Sequence, residues 1–234
     1  MKLGEQSEDT LRVANDKRQI VRFANIIRPF ARKTAKQLAR SRKTDLARGR
    51  HPAWPWTDLV LSYATLGGSR NWEVNMEPRA DDFGWARISK LSAKDRKKLL
   101  LQIPNPRFRL VIAAQAEAAF QMFRKAGGPT TIRNQYRKLQ TAEERIEYLK
   151  RIPGIGQKYA RNIAMEICDE LVCNHFALDH RLKTLIGPFL RRNFSYREGE
   201  EFLRSVAARL HVEARTLDRT LYRNYDDLKK RLGR

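Results

Sequence analysis

From Thr10 to about Ser41 the apolar side chains Val13, Ile20, Phe23, Ile27, Phe30 and Ala31 recur at helical spacing. That period predicts a helix with one apolar stripe. Residues 1–9 are polar and expected to be mobile, and Pro29 is expected to kink the helix or start a new one. Arg12, Lys17, Arg18, Arg22, Arg28, Arg32 and Lys33 stand between the apolar positions, so the outer face turns either toward nucleic-acid phosphate or toward water. Lys43 to Pro52 is polar and basic and reads as a linker into the next domain.

Trp54-Pro55-Trp56-Thr57-Asp58 opens a second helix, with Thr57 or Asp58 as its cap, ending at Gly67-Gly68. Glu77 to Lys90 reads as a loop with short helical pieces, and Ser92 to Asp95 caps a short helix through Leu101. Arg109 to Lys125 is a strong helix closed by Gly127-Gly128-Pro129; its stripe Val111, Ala114, Ala118 and Met122 is expected to be core. Helices follow at about 131–139 and 141–151, the latter opened by the capping box Thr141-Ala142-Glu143-Glu144. After residue 179 the pattern predicts helices to about Gly187, from about Glu198 to Leu210, and from Glu213 or Thr216 to the C-terminus. No segment alternates like a strand, and the expected fold class is all-α.

Composition narrows the partners. Lys+Arg 48 against Asp+Glu 26 gives a net charge of +22, and the pI is near 10.6. Such an excess repels itself unless a polyanion is bound, nucleic acid being the commonest; a membrane surface or a ribosomal role also fits the charge. The 41% hydrophobic content excludes a disordered basic tail. No apolar run approaches the roughly 20 residues needed to cross a bilayer, and MKLGEQSEDT is too polar for a secretory signal. Cys168 and Cys173 are the only cysteines, which favours a reduced, intracellular setting. His51, His175, His180 and His211 lack ligand spacing, so neither a catalytic metal nor another cofactor is expected.

The most informative stretch runs from Leu149 to Gly187. Pro153 cannot continue a helix, and Gly154 and Gly156 permit a tight turn and close approach of a partner. The helix from about Gln157 directs N–H groups and a positive dipole end outward, an arrangement suited to phosphate. Lys158 lies in its first turn, and Asp179 follows 21 residues later at the start of another helix. Left to itself, this pattern also fits a structural hairpin with a solvated lysine and an ordinary aspartate N-cap.

Ile152-Pro153-Gly154-Ile155-Gly156-Gln157-Lys158-Tyr159-Ala160 resembles the helix-hairpin-helix of the HhH-GPD DNA glycosylases. Leu178-Asp179-His180 is similar to the segment holding their catalytic aspartate, and Lys158 matches the nucleophilic lysine of bifunctional members. The resemblance covers about Trp54 to Asp227 and leaves the first 50 residues unspecified. It implies a six-helix barrel over 52–170, with the hairpin at about 144–170, and a second domain built from 1–51 and 171–234. A lesion cleft would lie between them, with Lys158 on one side and Asp179 on the other. Two cysteines cannot supply the four ligands of the endonuclease III cluster, so the 8-oxoguanine glycosylase branches are the nearer likeness.

The implied partner is double-stranded DNA with a damaged base, bound by a monomer away from membranes. Backbone N–H groups of Gly154, Gly156 and Lys158 would grip one phosphate, with Lys150, Arg151, Gln157 and Arg161 around it. Tyr63 or Ala64 falls near the place of the family's gap-filling residue, so the usual wedge is missing or shifted. Arg70, Asn71 and Trp72 would take part in filling the gap left by the extruded base, although Trp72 reads equally as core. Trp54, Trp56, Phe83, Trp85 and Phe176 are aromatic candidates for sandwiching that base. The implied activity is glycosylase with AP lyase chemistry on an oxidised base. The alternatives are a glycosylase for uracil, mismatched thymine or alkylated bases, and a non-catalytic hairpin protein.

Overall fold

The computed structural model describes residues 3–68, 77–190 and 193–233. These residues are helical throughout their regular parts, with no strand among them. In chain order the helices are α1 (Leu3–Arg50), α2 (Trp56–Ala64), α3 (Trp85–Ile88), α4 (Ala93–Leu100), α5 (Arg109–Lys125) and α6 (Pro129–Lys138). Then come α7 (Ala142–Lys150), α8 (Gln157–Glu166), α9 (His180–Ile186), α10 (Tyr196–Leu210), α11 (Ala214–Arg223) and α12 (Tyr225–Arg231). Short 3-10 turns occupy Leu66–Gly68 and Glu77–Phe83.

The chain divides into two compact units, Met1–Arg42 with Cys173–Arg234, and Lys43–Val172. Helix α1 contributes to both. It begins at Leu3, inside the polar segment 1–9 expected to be mobile, and it passes through Pro29 without restarting. Residues 43–50, expected to be a linker, are its last turns. Gly49 explains part of this, because a Cβ there would come within 2.8 Å of Ile167 Cβ, so the helix end is packed rather than solvated.

In the unit formed by the two ends of the chain, Phe23, Ala24, Ile27 and Ala31 of α1 are buried with Phe176, Leu182, Phe189, Phe202, Leu203, Leu217 and Leu221. The Phe23 ring lies 4.7 Å from that of Phe189 and 5.6 Å from that of Phe202. The expected final helix is broken at Asn224 into α11 and α12, and Asn224 Nδ2 donates to the Thr220 carbonyl at the break. Helix α10 starts at Tyr196 under a complete Ser195–Glu198 capping box.

In the central unit the core is aromatic. Trp56 meets Trp85, Phe120 and Phe123 edge-on, and its indole N–H donates to the Phe83 carbonyl at 2.8 Å. Helix α5 buries Ile112, Ala116, Ala119, Phe120 and Phe123. The stripe expected to be core is instead its outer face: Val111, Ala114 and Ala118 are exposed. An Ala-rich helix offers two stripes of similar apolarity, and the one carrying two phenylalanines buries more area. Helix α2 starts at Trp56 with Pro55 in the cap position, so Thr57 and Asp58 lie inside it and neither caps it.

Asp58 is buried, and Arg48 Nε lies 3.6 Å from its Oδ1 while Oδ2 has no hydrogen-bond partner among the described residues. Burial pushes this carboxyl up to about 6, against the opposing pull of Arg48 and the Trp54 indole. A folded-state value above the unfolded one means that its contribution to stability is complete below about pH 4 and lost as pH rises through 6. Asp58→Asn, which mimics the neutral form, should therefore raise stability at pH 7 by up to about 3 kcal/mol. The two proteins should converge as pH falls toward 4 in denaturant unfolding. A variant less stable than wild type at pH 7 would show that pairing with Arg48 outweighs desolvation.

Candidate active site

The central unit contributes a helix–turn–helix. Helix α7 ends at Lys150, helix α8 begins at Gln157, and the two pack together. Between them Ile155 N–H donates to the Ile152 carbonyl at 3.0 Å, with Pro153 and Gly154 at the centre of the turn. Gly154 has φ +80°, so this is a type II turn in which proline sets the first corner and glycine the second. A Cβ on Gly154 would also lie 2.5 Å from Gln115 Oε1 and 2.9 Å from Tyr63 Cε1. Ile152 and Ile155 are buried and anchor the turn to the core.

Gly156 differs. It occupies the N-cap of α8 with extended backbone, φ −92° and ψ −178°, and no side chain caps the helix. A Cβ there would meet nothing within 4 Å. The fold itself therefore does not demand glycine at 156. Gly154→Ala should lose roughly 1–3 kcal/mol through its positive φ and the clash with Gln115. Gly156→Asp should hold or gain stability, since aspartate caps a helix well. Thermal melts of both variants distinguish the two glycines, and an equal loss in each would refute the assignment.

Lys158 is half-buried in the first turn of α8, its Nζ 5.1 Å from the centre of the Tyr159 ring. Lys150 pairs with Glu147 at 2.6 Å, Arg151 is exposed beside Tyr148, and Gln157 is half-buried. Arg161, expected on the same surface, is instead buried at 6% exposure, because it falls on the inner side of α8 with Ile163, Ala164 and Met165. The Tyr63 ring, expected near the extruded base, is also buried, and its hydroxyl donates to the Pro153 carbonyl. That bond fastens the end of α2 to the turn, and burial pushes the phenol well above its ordinary value. Trp54 packs edge-on against Tyr136 and Trp56 fills the aromatic core with Phe83, so these rings present no open face for a base. Trp85 is only partly buried, and its ring lies tilted against that of Phe120 with centroids 5.1 Å apart. Arg70, Asn71 and Trp72 lie outside the described residues.

Sequence reasoning passed over one surface feature of this unit. Leu110 is 76% exposed and Val111 51%, at the start of α5 just after Arg107 and Arg109. Asn105 holds that corner together, its Nδ2 donating to the Leu66 carbonyl at 2.8 Å and its Oδ1 accepting from Phe108 N–H. Two adjacent apolar residues directly after two arginines were the available signal.

The other unit contributes Asp179. It is the N-cap of α9, its Oδ1 accepting from Leu182 N–H at 3.0 Å. The loop before it has no regular secondary structure, and side chains take up its backbone groups. Phe176 N–H donates to Glu200 Oε1, Ala177 N–H to Asp218 Oδ1, and Leu178 N–H to the Tyr196 hydroxyl, all near 3.1 or 3.0 Å. Tyr196 donates in turn to the Phe176 carbonyl at 2.6 Å. Glu200 and Asp218 are buried, and Phe176 is fully buried in this unit's core, so it offers no surface for a base. Tyr196, Glu200 and Asp218 hold the loop that ends at Asp179. The charged Asp218, set among Leu217, Thr220 and Leu221, was the sequence signal for a buried partner.

Among the described residues no group of three or more His, Cys, Asp or Glu could hold a metal ion. No helix among them is long and apolar enough to cross a membrane. No family model, curated protein or solved structure matches this chain.

Proposed function

We propose that the chain is a bifunctional DNA glycosylase and AP lyase of the HhH-GPD type. Its substrate is an oxidised base in duplex DNA, 8-oxoguanine first and oxidised pyrimidines next. The observation that carries this reading is the turn Ile152–Lys158: its second glycine meets no steric demand from the fold, and a lysine follows within the first helical turn. A phosphate can approach Gly156 where any side chain would intervene, and the N-terminal end of α8 favours an anion there. On this reading the helix–turn–helix is the helix-hairpin-helix, the protein acts as a monomer, and it needs no cofactor.

The chemistry follows from the residue types. The neutral Lys158 amine attacks the sugar C1′, the glycosidic C–N bond breaks, and the base departs with a proton. The C1′–O4′ bond then opens, with O4′ taking up a proton, to give the Schiff base; loss of the acidified C2′ proton breaks the C3′–O bond, and the phosphate leaves on the severed strand. The Asp179 carboxylate stabilises positive charge at C1′ during bond breaking and can receive the amine proton. This reading requires both groups to reach the same sugar. With Tyr63 buried, the gap in the duplex falls to Arg70, Asn71 or Trp72 and to Leu110, an exposed apolar side chain of the kind that wedges between base steps.

One observation favours a binding module without chemistry: Asp179 already has an ordinary structural duty as a helix cap. Borohydride trapping on duplexes carrying 8-oxoguanine, thymine glycol, uracil or an abasic site separates the readings. An adduct on 8-oxoguanine is expected. Free base without adduct would indicate a purely hydrolytic glycosylase, and neither product, with duplex affinity intact, would indicate the binding module.

A further inference from the structure

We propose that the outer edge of α1, from Arg18 to Arg40, is a track for the phosphate backbone of duplex DNA, additional to the turn at Ile152–Lys158. The proposal rests on the DNA-binding part of the reading above but not on its catalytic part. Residues 17–43 hold ten Lys and Arg and no Asp or Glu, so the helix carries no internal neutralisation along this length. Arg18, Arg22, Arg32, Lys33, Lys36 and Arg40 are all exposed. At 100° per residue they fall within an arc of about 100°, opposite the buried Phe23, Ile27, Ala31, Thr34 and Leu38. None of the six has an ion-pair partner among the described residues, whereas Arg42, off this arc, pairs with Glu213 at 3.1 Å.

Like charges at i and i+4, as at Arg18 and Arg22, Arg32 and Lys36, and Lys36 and Arg40, destabilise a helix. Arg22 lies 5.7 Å from the centre of the Phe189 ring, and the packing of α1 otherwise comes from the opposite face. The line is about 33 Å long, and duplex DNA presents roughly one charge per 1.7 Å along its axis. An extended row of negative charge matches an extended row of positive charge. A membrane surface fits less well, because the apolar side of α1 is already committed to Phe189 and Phe202 and cannot enter a bilayer.

The test measures affinity of the full chain for an undamaged duplex across salt concentrations. The variant combines Arg22→Gln, Lys33→Gln, Lys36→Gln and Arg40→Gln. Its slope of log K against log salt should flatten by about 0.9 for each phosphate that is no longer neutralised, with at least roughly tenfold weaker binding at low salt. The control removes the same charge from exposed sites elsewhere on that unit by Arg197→Gln, Arg209→Gln, Lys229→Gln and Lys230→Gln. Equal flattening in both would reduce the effect to net charge and overturn the proposal. On the unaltered protein, the duplex should shield Lys33 and Lys36 from amine acetylation, and unchanged labelling would also overturn it. Equal losses on duplex RNA or on phosphatidylserine vesicles would overturn the choice of DNA. Normal binding by the track variant alongside weakened binding by Gly156→Asp would remove this proposal alone, and a wild-type chain without duplex affinity would remove both.

Discussion

Lys158→Gln is expected to abolish the borohydride-trapped adduct while leaving affinity for lesion DNA nearly intact. The expectation follows from the chemistry: a Schiff base needs a primary amine, and an amide cannot supply one. Glutamine retains length and hydrogen bonding, and position 158 is half-buried rather than core, so the variant should fold. Asp179→Asn makes the complementary case. Asparagine still caps a helix well, so α9 should persist. Removing the charge should slow base release roughly 10²–10³-fold, the range for losing one electrostatic stabiliser. Surviving adduct in Lys158→Gln would exclude that lysine as nucleophile. An unchanged rate in Asp179→Asn would leave the carboxylate with its capping role alone.

Asp169→Ala is expected to cost the central unit about 3–5 kcal/mol, the range for breaking a buried ion pair from one side. Arg145 Nη1 lies 2.7 Å from both Asp169 oxygens, and the Tyr136 hydroxyl donates to Oδ2 at 2.6 Å. Leu171 N–H donates to Oδ1 at 3.1 Å, while the Arg145 guanidinium sits 5.2 Å from the Tyr136 ring centre. The carboxylate, just past α8, thus ties that helix to α6 and α7. Its removal strands the Arg145 charge, whose side chain is only 17% exposed, together with a buried hydroxyl. That residual exposure favours the lower end of the range. Denaturant unfolding at neutral pH measures the loss, and Asp169→Asn, which keeps an acceptor for Tyr136, should lose less. A loss below about 1 kcal/mol would mean that solvent replaces the carboxylate without difficulty. Because α8 carries Lys158, loosening its far end should also slow trapping at temperatures where the protein remains folded.

Gly156→Asp is informative beside these two because its expected effects diverge. Stability holds or rises while DNA affinity falls, since a carboxylate at the N-cap occupies the place of a phosphate.

The all-α class and several helix limits were legible in the sequence because they depend on neighbours. The Thr141–Glu144 and Ser92–Asp95 caps form within one turn of chain, and both are present. Pro153 and Gly154 have backbone preferences that specify a type II turn wherever they are placed. Local preference also misled: the basic run 43–50 reads as a linker by composition, yet Gly49 packs on Ile167, a residue more than a hundred positions away.

Only the tertiary structure decided which face of α5 is buried, since Val111 and Ile112 are equally apolar and the choice depends on where Trp56 and Trp85 lie. It also decided that Trp54, Tyr63 and Phe176 are core rather than pocket, and that Arg161 turns inward. Asp218 and Glu200 became supports of the loop before Asp179 through hydrogen bonds spanning 41 and 24 residues. Dihedral preferences and caps act over about four residues and can be read along the chain. Burial and long-range hydrogen bonds depend on which distant segment arrives, which helical periodicity does not specify.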